Sequence, residues 1–102
     1  MGMNPMQQMI LKAQKMQREL KKAQEELDQK EFKVSKNGMV TVTVMGSKEV
    51  KAIDIDKDAF DADNKEMVEE AIALAINEAI AKIEAEVAKF NEEITGRSGG
   101  LM

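Results

Sequence analysis

The chain has 102 residues, with 15 Lys and Arg against 19 Asp and Glu, nine Met, and no Cys, His, Tyr or Trp. A single domain of this size buries a modest core, so self-association would help it. Without Cys or His it has no disulfide, thiolate nucleophile, imidazole base or usual zinc ligand, so no catalytic residue, metal or cofactor is expected.

The first ten residues are interrupted by Asn4, Pro5, Gln7 and Gln8, which leaves no continuous apolar leader. No apolar run approaches the roughly 18 residues of a membrane span, so a soluble, cytoplasmic protein with no membrane partner is expected. The net charge of −4 hides an asymmetry. Residues 1–51 carry 10 Lys and Arg against 6 Asp and Glu, a net of +4, and residues 52–102 carry 5 against 13, a net of −8. The first half is therefore the candidate anion-binding half.

In chain order, Asn4 before Pro5 supplies a cap and a first-turn proline, and a helix is expected over residues 4–29. Met6, Met9, Ala13, Met16, Leu20, Ala23 and Leu27 follow at alternating three- and four-residue steps, the seam of a coiled coil. About 25 helical residues make a rod roughly 37 Å long, more than a short sheet covers, so part of it should project. Lys15, Arg18 and Lys22 fall on the face away from the seam, flanked by Lys12 and Lys21. Such a row can meet successive phosphates of a duplex without reading bases. The bland reading of the same row is a solvated face balanced by Glu19, Glu25 and Glu26.

Over residues 31–56, Phe32, Val34, Val40, Val42 and Val44 alternate with Lys33, Ser35, Thr41 and Thr43, the period of half-buried strands. A two-residue Asn37-Gly38 turn would set the apolar faces against each other. A three-residue loop of Lys36, Asn37 and Gly38, with Gly38 left-handed, is preferred because it pairs Val34 with Val40 and Phe32 with Val42. A Ser47-Lys48 turn then opposes Val42 to Ile53 and Val40 to Ile55. The two helices must cover one face of this meander. The other, with Thr41, Thr43, Met45 and Ala52, leans toward a dimer formed through the sheets.

Asp54, Asp56 and Asp58 invite a calcium-loop reading, which fails because Ala59 stands where glycine is required and Lys65 where the bidentate glutamate belongs. They are read as strand-end, turn and cap residues. Asp63 and Glu66 have capping-box spacing, and a second helix is expected over residues 64–95. Its apolar stripe is Val68, Ile72, Ile76, Ile80, Ile83, Val87, Phe90 and Ile94, packed along the first helix. Gly96 should end it, leaving residues 96–102 as a flexible glycine-rich tail after a single domain of residues 1–95.

Residues 9–17, MILKAQKMQ, residues 46–56 with G-x-x-E-V-K-A-I-D-I-D, and residues 66–79 ending A-I-N-E-A around Asn77 together resemble the YbaB/EbfC family of bacterial nucleoid-associated proteins. The likeness runs through nearly the whole chain. It implies an α+β fold with a long N-terminal helix, a three-stranded antiparallel meander and a long C-terminal helix. It also implies a tweezer-like homodimer whose helical arms bind double-stranded DNA without catalysis or a small-molecule substrate. Roles in nucleoid organisation and regulation of gene expression follow, and Lys12, Lys15, Arg18, Lys21 and Lys22 match the arms by position. The alternative from the residues alone is a protein-binding adaptor or holdase-type chaperone with Met-rich helical tips.

Overall fold

A computed structural model describes residues 2 and 4–98. Its elements are α1 (Pro5–Asp28), β1 (Glu31–Lys36), β2 (Val40–Met45), β3 (Val50–Ile55), two 3-10 turns (Lys57–Ala59 and Ala62–Asn64) and α2 (Lys65–Ser98). The expected α+β order of helix, meander and helix is the one observed. Asn4 caps α1 reciprocally: its Oδ1 accepts the Gln7 N–H at 2.8 Å, and Gln7 Oε1 accepts the Asn4 N–H at 3.2 Å. Two donors that a helix start leaves open are thereby satisfied.

The strands form one antiparallel sheet in the order β1-β2-β3. The first hairpin corrects the expected register: Val34 pairs with Val42 and Phe32 with Val44, two residues further along β2. The left-handed residues are Asn37 and Gly38, at φ 56° and 65°, and the Met39 N–H closes the turn on the Lys36 carbonyl at 2.9 Å. Lys36 consequently belongs to β1 rather than to the loop. A slip of two keeps every side chain on its face, which is why the apolar pattern alone did not separate the two registers. The second hairpin has the expected pairs, Val42 with Ile53 and Val40 with Ile55, with an irregularity at Thr43 and Val44.

Phe32, Val34, Val40, Val42 and Val44 of the sheet meet Val68, Ala71, Ala75, Ala79 and Ile83 of α2 in one core. Here too the structure changes the reading. The fully buried row of α2 is Ala71, Ala75, Ala79 and Ile83, while Ile72, Ile76 and Ile80 ride half-buried on its shoulder. Alanine brings the helix axis close to the sheet, and the bulkier isoleucines are left at the flank. α2 lies over β1 and β2 and scarcely meets β3.

α2 starts at Lys65 without the expected Asp63–Glu66 box. Asp63 sits inside the second 3-10 turn, where its N–H donates to the Asp61 carboxylate at 2.9 Å, so that Asp61 caps this turn just ahead of α2. At the other end α2 passes through Gly96 to Ser98. A helical glycine costs only about 1 kcal/mol, and buried Ile94 anchors the turn before it. The remainder of the anticipated tail, residues 99–102, lies outside the described residues.

α1 joins the sheet at Gly46, whose N–H donates to the Lys30 carbonyl at 2.8 Å. A Cβ on Gly46 would stand 1.7 Å from the Leu27 carbonyl oxygen. The absence of a side chain there sets how closely the C-terminal end of α1 approaches the sheet. The molecule is elongated, 75 × 22 × 14 Å.

Candidate nucleic-acid interface

The seam of α1 divides in two. Leu27 is buried, and Met16, Leu20 and Ala23 are half-buried, whereas Ala13, Met9 and Met6 are exposed. On α2, Ile94 is buried and Val87 and Phe90 are half-buried, so the two helices pack antiparallel along the C-terminal part of each. Lys12, Lys15, Arg18, Lys21 and Lys22 are all exposed. From Lys12 to Lys22 the row spans about 15 Å of helix axis, the rise of roughly four phosphates along one DNA strand.

Sequence reasoning missed where the acidic side chains of α2 go. Glu78 reaches Lys36 at 2.6 Å, Glu86 reaches Lys30 at 3.1 Å and Glu84 reaches Lys48 at 3.6 Å. All three lysines belong to the sheet or its connections. The hydrogen bond from the Lys36 ammonium holds the Glu78 carboxyl below its ordinary value against the smaller opposing effect of burial, and the charges of Lys36 and Lys82 add to the lowering. Among the described residues, no ion pair involves any of the five α1 cations. The signal for this lay in the lysines at strand ends, facing a glutamate every turn or two of α2, but it needs the register to be seen.

The outer face of the sheet is more self-sufficient than its composition suggested. Ser35 and Thr41 hydroxyls share a hydrogen bond at 2.8 Å. Lys51 of β3 reaches Glu31 of β1 across β2, and the contact draws the Glu31 carboxyl below its ordinary value. Apolar surface is left open on the inner face instead. Beyond the cover of α2, Ile53 is 46% and Val50 41% exposed. Beside them, Ile55, Val68 and Ile72 line an open apolar groove of about 460 Å³ with Phe60 at its rim, 80% exposed.

Asp56 and Asp61 cap the two 3-10 turns. Asp56 accepts the Asp58 N–H at 2.8 Å as the cap of the first 3-10 turn. Among the described residues, no three acidic side chains gather as metal ligands. No described helix is long and apolar enough to cross a membrane.

The described residues form a small sheet carrying an antiparallel two-helix arm with an exposed cationic row on its first helix. The chain belongs to the YbaB/EbfC DNA-binding family, whose pattern it matches over residues 2–98. It is similar to a nucleoid-associated protein of Acetivibrio thermocellus, 39% identical over 91% of this chain and 83% of the relative. A nucleoid-associated protein of Enterococcus faecalis is 41% identical over 83% of each chain. One of Ruminiclostridium cellulolyticum is 37% identical over 94% of this chain and 84% of the relative.

Proposed function

We propose that this protein is a non-enzymatic, nucleoid-associated protein of the bacterial cytoplasm that grips duplex DNA as a homodimer. It contributes in this way to nucleoid organisation and to regulation of gene expression. The observation that carries the reading is the exposed α1 row, Lys12, Lys15, Arg18, Lys21 and Lys22, outside every ion pair of the described residues in a member of a DNA-binding family. Cations held ready on a rigid helix release counterions from phosphates, which supplies affinity without base contacts.

The dimer reading rests on the inner face of β3. Val50, Ile53 and the groove rimmed by Phe60 form apolar surface beside an unpaired strand edge, an arrangement that a second copy can cover about a two-fold axis. The interface is thus assigned to the β3 margin rather than to the polar outer face. A salt titration of duplex binding tests the function: affinity should fall linearly in log–log form as salt rises, and affinity indifferent to salt would overturn it. Sedimentation at micromolar concentration should show no folded monomer, and a monomer there would overturn the dimer.

A further inference from the structure

The Lys30–Glu86 ion pair sets the relative height of the two antiparallel helices and places Lys22 near the level of Ile94. From there to Glu70 is about 36 Å along α2, so one chain cannot bring its cationic row to the first turns of its own α2. Those turns are acidic. Between Glu66 and Ala81, α2 holds four Glu and no Lys or Arg. Glu69 is taken by Lys65 and Glu78 by Lys36, whereas Glu66 and Glu70 enter no ion pair among the described residues.

The two free glutamates flank an apolar strip. Met67 and Leu74, seven residues apart on one side of α2, are 50% and 48% exposed. At about 100° per residue they lie well round the helix from Val68 and Ile72, which line the groove beside β3. The strip is therefore a second surface, clear of the margin assigned to the dimer. On α1 the outward face runs Leu11, Lys15, Arg18, Lys22, at steps of four, three and four, with Leu11 45% exposed. In reverse order, Leu74, Glu70, Met67 and Asp63 follow the same steps, with Glu66 beside Met67.

We propose that this strip of α2 receives the outward face of α1 from another copy, antiparallel. Leu11 then meets Leu74, Lys15 meets Glu70, Arg18 meets Met67 and Glu66, and Lys22 meets Asp63. A parallel arrangement fails, because Leu11 on Met67 would set Arg18 on Leu74 and Lys15 over buried Ala71. The two faces are different surfaces at separate ends of one chain, so the contact does not close, and copies join head to tail in open chains. Opposite charge at matched spacing selects this partner and this register. The contact occupies the same three cations that the DNA reading uses, so a copy docked on its neighbour cannot hold phosphates through them, and duplex dissolves the chains. That competition rests on the DNA-binding reading; the assembly does not.

The test uses the full-length protein, sedimented without DNA at about 10 mM and about 1 M salt, between which charges act over about 30 Å and about 3 Å. Wild type should show a mass that grows with concentration at low salt and falls to one small species at high salt. The double variant Glu66→Lys, Glu70→Lys should stay small at both, and so should Lys15→Glu, Arg18→Glu. All four positions are exposed, so circular dichroism of each should match wild type. Mixed one to one, the two variants should assemble again, because each supplies the face that the other lacks. The chain has no Cys, so thiols can be placed at will. Under mild oxidation, Leu11→Cys chains should cross-link to Leu74→Cys chains and not to Ala88→Cys chains. Excess short duplex should return the low-salt assemblies to the small species and suppress the cross-link.

A wild-type mass indifferent to salt overturns the proposal, as does a mixture of the two folded variants that stays small. Cross-linking between Leu74→Cys chains alone would assign the strip to a two-fold contact and overturn it too. Assemblies that persist with duplex bound overturn the competition. Assembly and rescue in a protein with no duplex affinity would sustain the contact and overturn the DNA reading instead.

Discussion

Replacing Lys15, Arg18 and Lys22 together by Gln removes three of the five cations on the exposed face of α1 without touching the α1–α2 seam. If each cation neutralises one phosphate, the slope of log K against log salt is about −4.5 for one arm and falls to about −1.8 in the variant. Between 50 and 200 mM salt, wild type should then lose about 500-fold in affinity and the variant only about 12-fold, and a dimer engaging both arms would double both slopes. Fluorescence anisotropy of a labelled duplex across that range measures both lines. Lys30→Gln is the matched control, because Lys30 is already engaged with Glu86 at 3.1 Å and should leave the slope within about one unit of wild type. A triple variant with the wild-type slope would refute the assignment of the phosphate contacts to this row, and a Lys30 variant with a larger effect would move them to the sheet.

Gly46→Ala should lower stability by roughly 1–3 kcal/mol, because the new methyl meets backbone at Leu27 that cannot swing aside. Thermal denaturation followed by circular dichroism checks it, and an unchanged midpoint would show that the α1–sheet junction is not closed. Glu78 titrates below 4.5 in the folded chain, so its pairing with Lys36 contributes stability above the unfolded value and loses it as pH falls through the folded one. The melting difference between wild type and Glu78→Gln should be constant near neutrality and close as pH falls through the lowered Glu78 value; a difference that persists in acid after the carboxyl is protonated would refute the cause. Ile53→Lys, at a position 46% exposed in the single chain, should leave the fold intact and shift sedimentation from dimer to monomer. A variant that remains dimeric would move the interface away from β3.

What periodicity could reveal here was the existence of the elements and the face each strand buries. Both helices, all three strands and the second hairpin register follow from residue spacing, since each is decided by apolar repeat and turn chemistry. What it could not reveal were choices that leave the repeat unchanged. Sliding β1 by two residues preserves every inward side chain, so the true pairing is marked by polar contacts such as Ser35 with Thr41 and Lys36 with Glu78, which the apolar repeat does not register. Ala71, Ala75 and Ala79 were hidden because alanine carries little apolar signal, though its small volume decides where α2 can lie closest. Gly96 misled as a stop because nearby Ile94 has a buried seat. The cationic row was legible as a row, but its place outside the ion pairs of the described residues emerges only when Glu78, Glu84 and Glu86 of α2 are seen to pair with lysines of the sheet and its connections.

That uptake bears on how an acidic chain can serve an acidic polymer. Residues 54–70 hold eight Asp and Glu against two Lys, while residues 5–22 hold five Lys and Arg against the single Glu19. Lys22 lies near the level of Ile94, so the first turns of α2 are about 40 Å from the row along the helix axis. At physiological ionic strength the screening length is about 8 Å, so if DNA is held at the arm, as proposed, the acidic end does not act on it. At about 10 mM salt it grows to about 30 Å, and the repulsion begins to reach the duplex. The binding line should therefore be straight above about 50 mM and flatten or turn over near 10 mM, where a purely basic arm would continue upward. Neutralising Asp61, just before α2, together with Glu66 and Glu69 in its first turns, should restore the straight line at low salt while leaving affinity at 150 mM unchanged. If the same neutralisation strengthens binding at 150 mM, DNA runs along the whole of α2 rather than across the arm, and the separation of charge between the two ends is not what admits it.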